Sequence, residues 1–186
     1  AMILRRNRLK FKRVLEVGAS NGWRLEAPRR SRPLASYVGV EPSRAAIQEG
    51  KKMFPKLSLL RGVASALPVK GVFDLVLVIS VLHWVSREKL LSSLSEIDRA
   101  VAEGGYLLLC DFLPRTPRKN PYRHKKGVFT WKMDYGALFE ATGNYLRIER
   151  MVYDYRTNKP ANARTPDDMR EVGTLYQKKT GIGYIA

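Results

Sequence analysis

Val14-Leu15-Glu16-Val17-Gly18-Ala19-Ser20-Asn21-Gly22 is the stretch whose reading decides the fold. An apolar, β-branched run stops at an acid and opens into a Gly-rich turn. That order places a loop at the C-terminal edge of a parallel strand, where doubly wound α/β proteins hold nucleotide-like ligands. Glycines let the backbone approach a ligand, and an acid at the strand end accepts its hydrogen bonds. A second acid, Glu41, ends the next apolar run, Tyr37-Val-Gly-Val40. An acid about 20 residues past such a turn is placed to hold a ribose from the neighbouring strand.

Outward from this stretch, apolar runs alternate with helix-like segments, the pattern of βαβ units. Strands are expected at Arg13–Val17, Tyr37–Val40, Leu57–Leu60, Phe73–Ile79 and Tyr106–Phe112. Ser43 is placed to cap a helix running through Met53. A longer helix follows Ser86, with Leu90, Leu94, Ile97 and Val101 at helical spacing and Gly104-Gly105 as its stop. Pro28 and Pro33 leave little room for a helix after the Gly-rich turn. Beyond Pro114 comes a Pro-rich basic loop, Arg115–Arg123, then a short helix from an Asp134 cap through Ala141. Alternation over Leu146–Tyr155 and Val172–Tyr176, joined by the polar segment 157–168, predicts an antiparallel hairpin at a sheet edge.

At 186 residues the chain fits one domain. Its expected parts are a basic N-terminal segment (1–12), a ligand-binding core (13–112) and an acceptor loop, short helix and hairpin (113–186). No apolar run approaches the roughly 18 residues of a membrane span, and no secretory leader opens the sequence, so a cytoplasmic protein is expected. Ala1 precedes Met2, which leaves room for natural chain upstream. Cys110, the single cysteine, lies in an apolar run and offers neither a disulfide framework nor a metal cluster. Two histidines and scattered acids show no metal-ligand spacing, so no metal is expected.

Lys and Arg number 34 against 17 Asp and Glu, a net charge of +17. A polyanionic partner and a merely basic solvated surface both account for this balance. Basic residues concentrate at Arg5–Arg13 and at Arg115–Lys132, the latter acid-free and interleaved with Tyr122, Phe129 and Trp131.

The ordered set Glu16-x-Gly18-x-Ser20-x-Gly22, Gly39-Val-Glu41-Pro-Ser43, Ala64-Ser-Ala-Leu-Pro68, Phe73 to Trp84 and Arg99 to Gly105 resembles the class I S-adenosylmethionine-dependent methyltransferases, of the small-molecule type. The resemblance implies a single Rossmann-like domain, with a seven-stranded, mostly parallel sheet and a terminal antiparallel hairpin. It further implies S-adenosylmethionine as methyl donor and S-adenosylhomocysteine as product. Carried over, Glu16, Gly18, Ser20 and Gly22 line the methionine part of the cofactor and Glu41 accepts both ribose hydroxyls. Pro42 and Leu67 flank the adenine, the Ala64 amide faces its edge, and Ile79 and Ser80 sit near the sulfonium. Three departures stand out: Ser20 occupies a family glycine position, Val63 and Ser65 replace acids that relatives use on the adenine amino group, and no NPPY or DPPY sequence follows the fourth strand. The segment around Asp111-Phe-x-Pro, Asn120-Pro-Tyr and Trp131-x-x-Asp-Tyr135 is similar to a bacterial subgroup associated with surface-polysaccharide and secondary-metabolite biosynthesis.

Methyl transfer from a sulfonium asks mainly for positioning, plus a base when the acceptor is a hydroxyl or ammonium. His83 and His124 are the candidate bases, with Asp111 to orient either one. Arg118, Lys119, Tyr122, Trp131 and Tyr135 are the candidate acceptor-binding residues. The expected reaction is transfer to oxygen or nitrogen of a small polar or anionic acceptor. The rivals are an RNA methyltransferase using the basic surface and a non-catalytic domain that binds cofactor weakly and serves as a partner.

Overall fold

The computed structural model describes residues 2–7 and 9–184. Ala1 and Arg8 of the basic N-terminal segment lie outside the described residues, as do 185 and 186. After helix α1 (Met2–Arg6), the elements run β1 (Arg13–Val17), α2 (Trp23–Ser31), β2 (Ser36–Glu41), α3 (Arg44–Met53), β3 (Ser58–Arg61), β4 (Phe73–Ile79), α4 (Arg87–Ala100) and β5 (Val101–Phe112). A ribbon β6 (Arg118–Pro121) and β7 (Phe129–Lys132) follows, then α5 (Gly136–Glu140), β8 (Tyr145–Asp154) and β9 (Arg170–Lys178). One seven-stranded sheet has the order β3-β2-β1-β4-β5-β9-β8. Its first five strands are parallel, and the β8–β9 hairpin completes it antiparallel. The expected doubly wound sheet with its terminal hairpin is the observed fold.

Parallel strands covered on both faces need apolar residues at successive positions, which is why β1, β4 and β5 read as continuous runs. Val14, Leu75, Leu77 and Leu108 enter one layer with Leu25, Ile47 and Leu59. Their neighbours Leu15, Val76, Val78 and Leu107 enter the other, with Ile97 and Phe139. The Ser43 hydroxyl accepts from the Ala46 amide and starts α3 as expected.

Four local readings need correction. Helix α2 forms with Pro28 inside it. Burial of Leu25 and the clasp of Glu26 by Arg29 and Arg30 offset the hydrogen bond that proline removes. Helix α4 stops at Ala100, and Val101 already pairs with Phe73 in β5. Gly104, at φ 72°, therefore serves a bulge inside β5 rather than a helix stop. The Arg115–Lys132 segment is not only loop: β6 and β7 pair antiparallel, Arg118 opposite Lys132 and Asn120 opposite Thr130. Finally, α5 (Gly136–Glu140) has Tyr135, not Asp134, at its N-cap, with no side-chain cap hydrogen bond, and it ends one residue before Ala141. One Asp134 oxygen accepts from the Gly136 amide and the other is held by Arg150 at 2.6 Å.

Candidate active site

The turn after β1 is built from three residues in the left-handed region: Gly18 (φ 73°), Ser20 (φ 52°) and Gly22 (φ 86°). The Gly18 and Ala19 amides donate to the Val40 carbonyl, which ties the turn to the end of β2. A Cβ on Gly18 would run into the Val81 side chain, so space and backbone angle both require glycine there. Ser20 keeps the angle of the glycine it replaces, at a cost of about 1–2 kcal/mol.

Glu41 ends β2 with its carboxylate under this turn. One oxygen accepts from the Ser20 amide at 3.0 Å and the other from the Ser43 amide at 3.0 Å. Glu16 lies deeper and is fully buried. Arg24 binds its Oε1, and the same guanidinium donates to the Gly18 carbonyl at 3.1 Å. Oε2 of Glu16 is buried with no hydrogen-bond partner. Burial outweighs the nearby Arg24 charge and pushes the Glu16 carboxyl up to about 7.

Beside the turn opens a largely apolar cavity of 440 Å³, lined among others by Gly18, Pro42, Ala64, Val81 and Trp84. Of the expected cofactor residues, Gly18, Pro42 and Ala64 line it directly. Val63 and Ser65, where relatives carry acids, line it too. Glu16, Ser20, Gly22, Glu41, Ile79 and Ser80 gather around the strand ends without lining this space. Leu67 departs from its expected place: it is buried in the core, and its amide donates to Glu96. Ser80 leaves β4 at φ 57°, its amide held by the Cys110 carbonyl, and turns the chain into a 3-10 turn at Leu82–Trp84.

That turn places Trp84 at the cavity and His83 inside the protein. His83 is 4% exposed and Asp111, at the end of β5, is 1% exposed. Their contact, Nδ1 to Oδ1, is 2.7 Å, and the Asp111 carboxylate also accepts from the Phe112 amide at 2.8 Å. With the carboxylate as acceptor, Nδ1 is the donor of this bond and Nε2 is the ring nitrogen left for other chemistry. The rings of Trp84 and Phe112 pack on the imidazole at centroid distances of 5.1 and 5.0 Å.

The β6–β7 ribbon stands over this end of the sheet, with Tyr122 edge-on to Trp84 at 4.9 Å. It walls a second cavity of 480 Å³ whose lining includes Arg118, Tyr122, His124 and Lys132. The structure separates the remaining acceptor candidates from that space. Strand alternation sends Lys119 and Trp131 to the opposite ribbon face, where the Lys119 ammonium lies 4.8 Å from the Trp131 ring centroid. Tyr135 is a core residue, 1% exposed, its hydroxyl bonded to the Trp131 carbonyl and Arg87. His124 is exposed, against the side of Tyr122 and away from Asp111's partner His83.

Sequence reasoning passed over four residues that belong to this region. Arg24 sits in the helix that Pro28 obscured. Trp84 reads as packing beside His83. Lys132, one of many basic residues, places its ammonium 3.7 Å from the Phe112 ring centroid and donates to the Asp168 carbonyl. Glu171, in β9 opposite Phe112, is buried with Oε1 unpartnered, and burial raises its carboxyl above the usual range. No spacing rule links Glu171 to its neighbours, since strand pairing alone brings them together.

Residues 15–109 match the family described as a methyltransferase domain. The chain is 35% identical over 109 residues to phthiotriol/phenolphthiotriol dimycocerosates methyltransferase 1 of Mycobacterium ulcerans, a match spanning 57% of this chain and 40% of that relative. In solved structures, the TehB-like S-adenosylmethionine-dependent methyltransferase of Corynebacterium glutamicum superposes with a TM-score of 0.65 at 15% identity, covering 95% of this chain and 86% of that one. The N-methyltransferase NodS of Bradyrhizobium japonicum, solved with S-adenosylhomocysteine, gives a TM-score of 0.67 at 14% identity, covering 95% and 83%. With the family match spanning more than half of its length and the sheet order of that fold, the chain belongs to the class I S-adenosylmethionine-dependent methyltransferases.

Proposed function

We propose that the chain transfers a methyl group from S-adenosylmethionine to oxygen or nitrogen of a small polar or anionic acceptor. The observation that carries this reading is the buried His83–Asp111 pair, 2.7 Å apart, packed directly behind Trp84, which lines the apolar cavity. Residues 13–112 hold the cofactor: Glu41 offers a carboxylate to the ribose, and the apolar walls at Pro42, Val63 and Ala64 suit an adenine. Residues 113–184 supply the acceptor side through the ribbon. Bound S-adenosylmethionine would supply the methyl group and leave as the neutral sulfide S-adenosylhomocysteine once the acceptor takes the methyl. Nε2 of His83 takes the acceptor proton, while Asp111 holds the ring and stabilises the imidazolium that forms.

Mixed charge on α4 favours a small acceptor over an RNA track. Glu96 pairs with Arg99, and Asp98 with Lys178, so α4 adds no continuous basic surface of the kind an RNA track needs. A free Cys110 and the lack of any helix long and apolar enough to cross a membrane among the described residues are compatible with a cytoplasmic site of action. Calorimetry with S-adenosylhomocysteine tests the core of the proposal. One molecule bound per chain is expected, and no binding at millimolar concentration would instead favour a non-catalytic partner domain.

A further inference from the structure

The β6–β7 ribbon is built against its own electrostatics. Arg118 and Lys132 lie directly opposite each other, and like charges in that relation destabilise a strand pair. Cross-strand alternation puts both on the face that walls the 480 Å³ cavity, with Asn120 and Thr130 as the next opposed pair. Arg123 adds a third cation to the lining, and among the described residues Asp168 is the only carboxylate there. Asp167, behind Arg118, is shared between Arg118 at 3.1 Å and Arg115 at 3.9 Å. Lys132 donates to the backbone carbonyl of Asp168 and lies 3.7 Å from the Phe112 ring centroid; burial outweighs the nearby charges of Asp168, Asp111 and Glu171 and holds its ammonium below the ordinary range. Positive charge is thus concentrated and partly desolvated in a concave site.

We propose that this ribbon face is a binding site for a phosphoryl group carried by a small acceptor. Two cations on one rung lie beside two neutral donors on the next, the Asn120 amide and the Thr130 hydroxyl, so that a tetrahedral anion meets a donor on several of its oxygens. A planar carboxylate would leave part of that set unused. An ion seated there converts the repulsion across the ribbon into two attractions and relieves the burial of Lys132. Tyr122, edge-on to Trp84, links this cavity to the one beside the Gly-rich turn, so an acceptor anchored by its phosphate can extend toward His83. The inference rests on the methyltransferase reading only for what carries the phosphate.

The test is a titration of the full chain, saturated with S-adenosylhomocysteine, by amide NMR at constant ionic strength. Inorganic phosphate and pyrophosphate should give saturable shifts at Asn120, Thr130 and Asp168, and acetate should not. Arg118→Ser and Lys132→Met should each weaken pyrophosphate binding about ten-fold, the loss of one charge-assisted contact. Lys132→Arg should retain it, and Lys119→Ser, which removes a charge from the opposite face, should leave it unchanged. Absence of saturable shifts at the ribbon would overturn the inference, as would equal losses in Lys119→Ser and Lys132→Met. A single-stranded RNA oligonucleotide that binds more tightly than pyrophosphate, with shifts spread over both faces, would also overturn it. Failure of S-adenosylhomocysteine to bind at the outset counts against the methyltransferase reading and leaves the anion titration to be judged alone.

Discussion

Replacing Glu41 with Ala separates the two jobs its carboxylate performs. In the free protein each oxygen holds one backbone amide at 3.0 Å, that of Ser20 in the turn and that of Ser43 at the head of α3. Both amides lie in exposed segments where water replaces the lost acceptor, so the stability cost is set at about 1–2 kcal/mol, a fall of about 2–6 °C in Tm. Cofactor binding should suffer more. The ribose loses a doubly charge-assisted contact, worth about 1.5–3 kcal/mol, and the turn that received it loses its tether. S-adenosylhomocysteine affinity should therefore drop by about 10- to 100-fold in calorimetry at a temperature where the variant is fully folded. Glu41→Gln keeps one acceptor oxygen without the charge and should fall between the two. An unchanged Kd in a folded Glu41→Ala protein would refute the ribose assignment. A lower Tm with normal affinity would show that Glu41 only braces the turn.

Glu16→Gln should reveal the buried acid through pH. With the carboxyl raised from 4.5 to about 7 in the folded state, its contribution to stability is fully present below pH 4.5 and lost as pH rises through 7. Denaturant unfolding should find the wild type and the neutral variant alike near pH 4.5, and the variant more stable by up to about 3 kcal/mol at pH 8. A variant less stable at pH 8 would mean that the Arg24 ion pair outweighs burial. Ser20→Gly removes a side chain from φ 52° and should raise stability by about 1 kcal/mol with equal or tighter cofactor binding, read by thermal melts and calorimetry. With an acceptor in hand, His83→Ala should lower turnover at least 100-fold at nearly constant cofactor affinity, whereas His124→Ala should leave turnover within a few-fold of the wild type. Equal turnover in both would remove the base and leave positioning as the whole of catalysis.

Strand cores were legible because parallel strands covered on both faces cannot avoid successive apolar residues, and Val14–Val17 and Phe73–Ile79 show them plainly. The turn after β1 was legible through its glycines. Helix α2 was hidden, because Pro28 carries a local penalty of about 3 kcal/mol that only tertiary burial of Leu25 and the Glu26 clasp offset. The β6–β7 ribbon was hidden for the opposite reason. Arg118-Lys119-Asn120-Pro121 has no alternating apolar face, and its order comes from docking on Trp84. His83 and Asp111 could each be singled out at a strand end, yet their contact spans two elements. Glu171 and Lys132 reach the same region through strand pairing and ribbon docking, which no local pattern encodes.

The position of β9 bears on how the molecule is made. Among the described strands it is the last in chain order, yet it lies between β5 and β8. Until it arrives, β8 has no partner in the large sheet and β5 presents an open edge of unpaired amides and carbonyls. The β1–β5 half can assemble while the ribosome is still at work, but completion waits for Arg170–Lys178 to thread between two earlier strands. A chain that ends before Arg170 would therefore leave the β5 edge unpaired and prone to pairing with other chains.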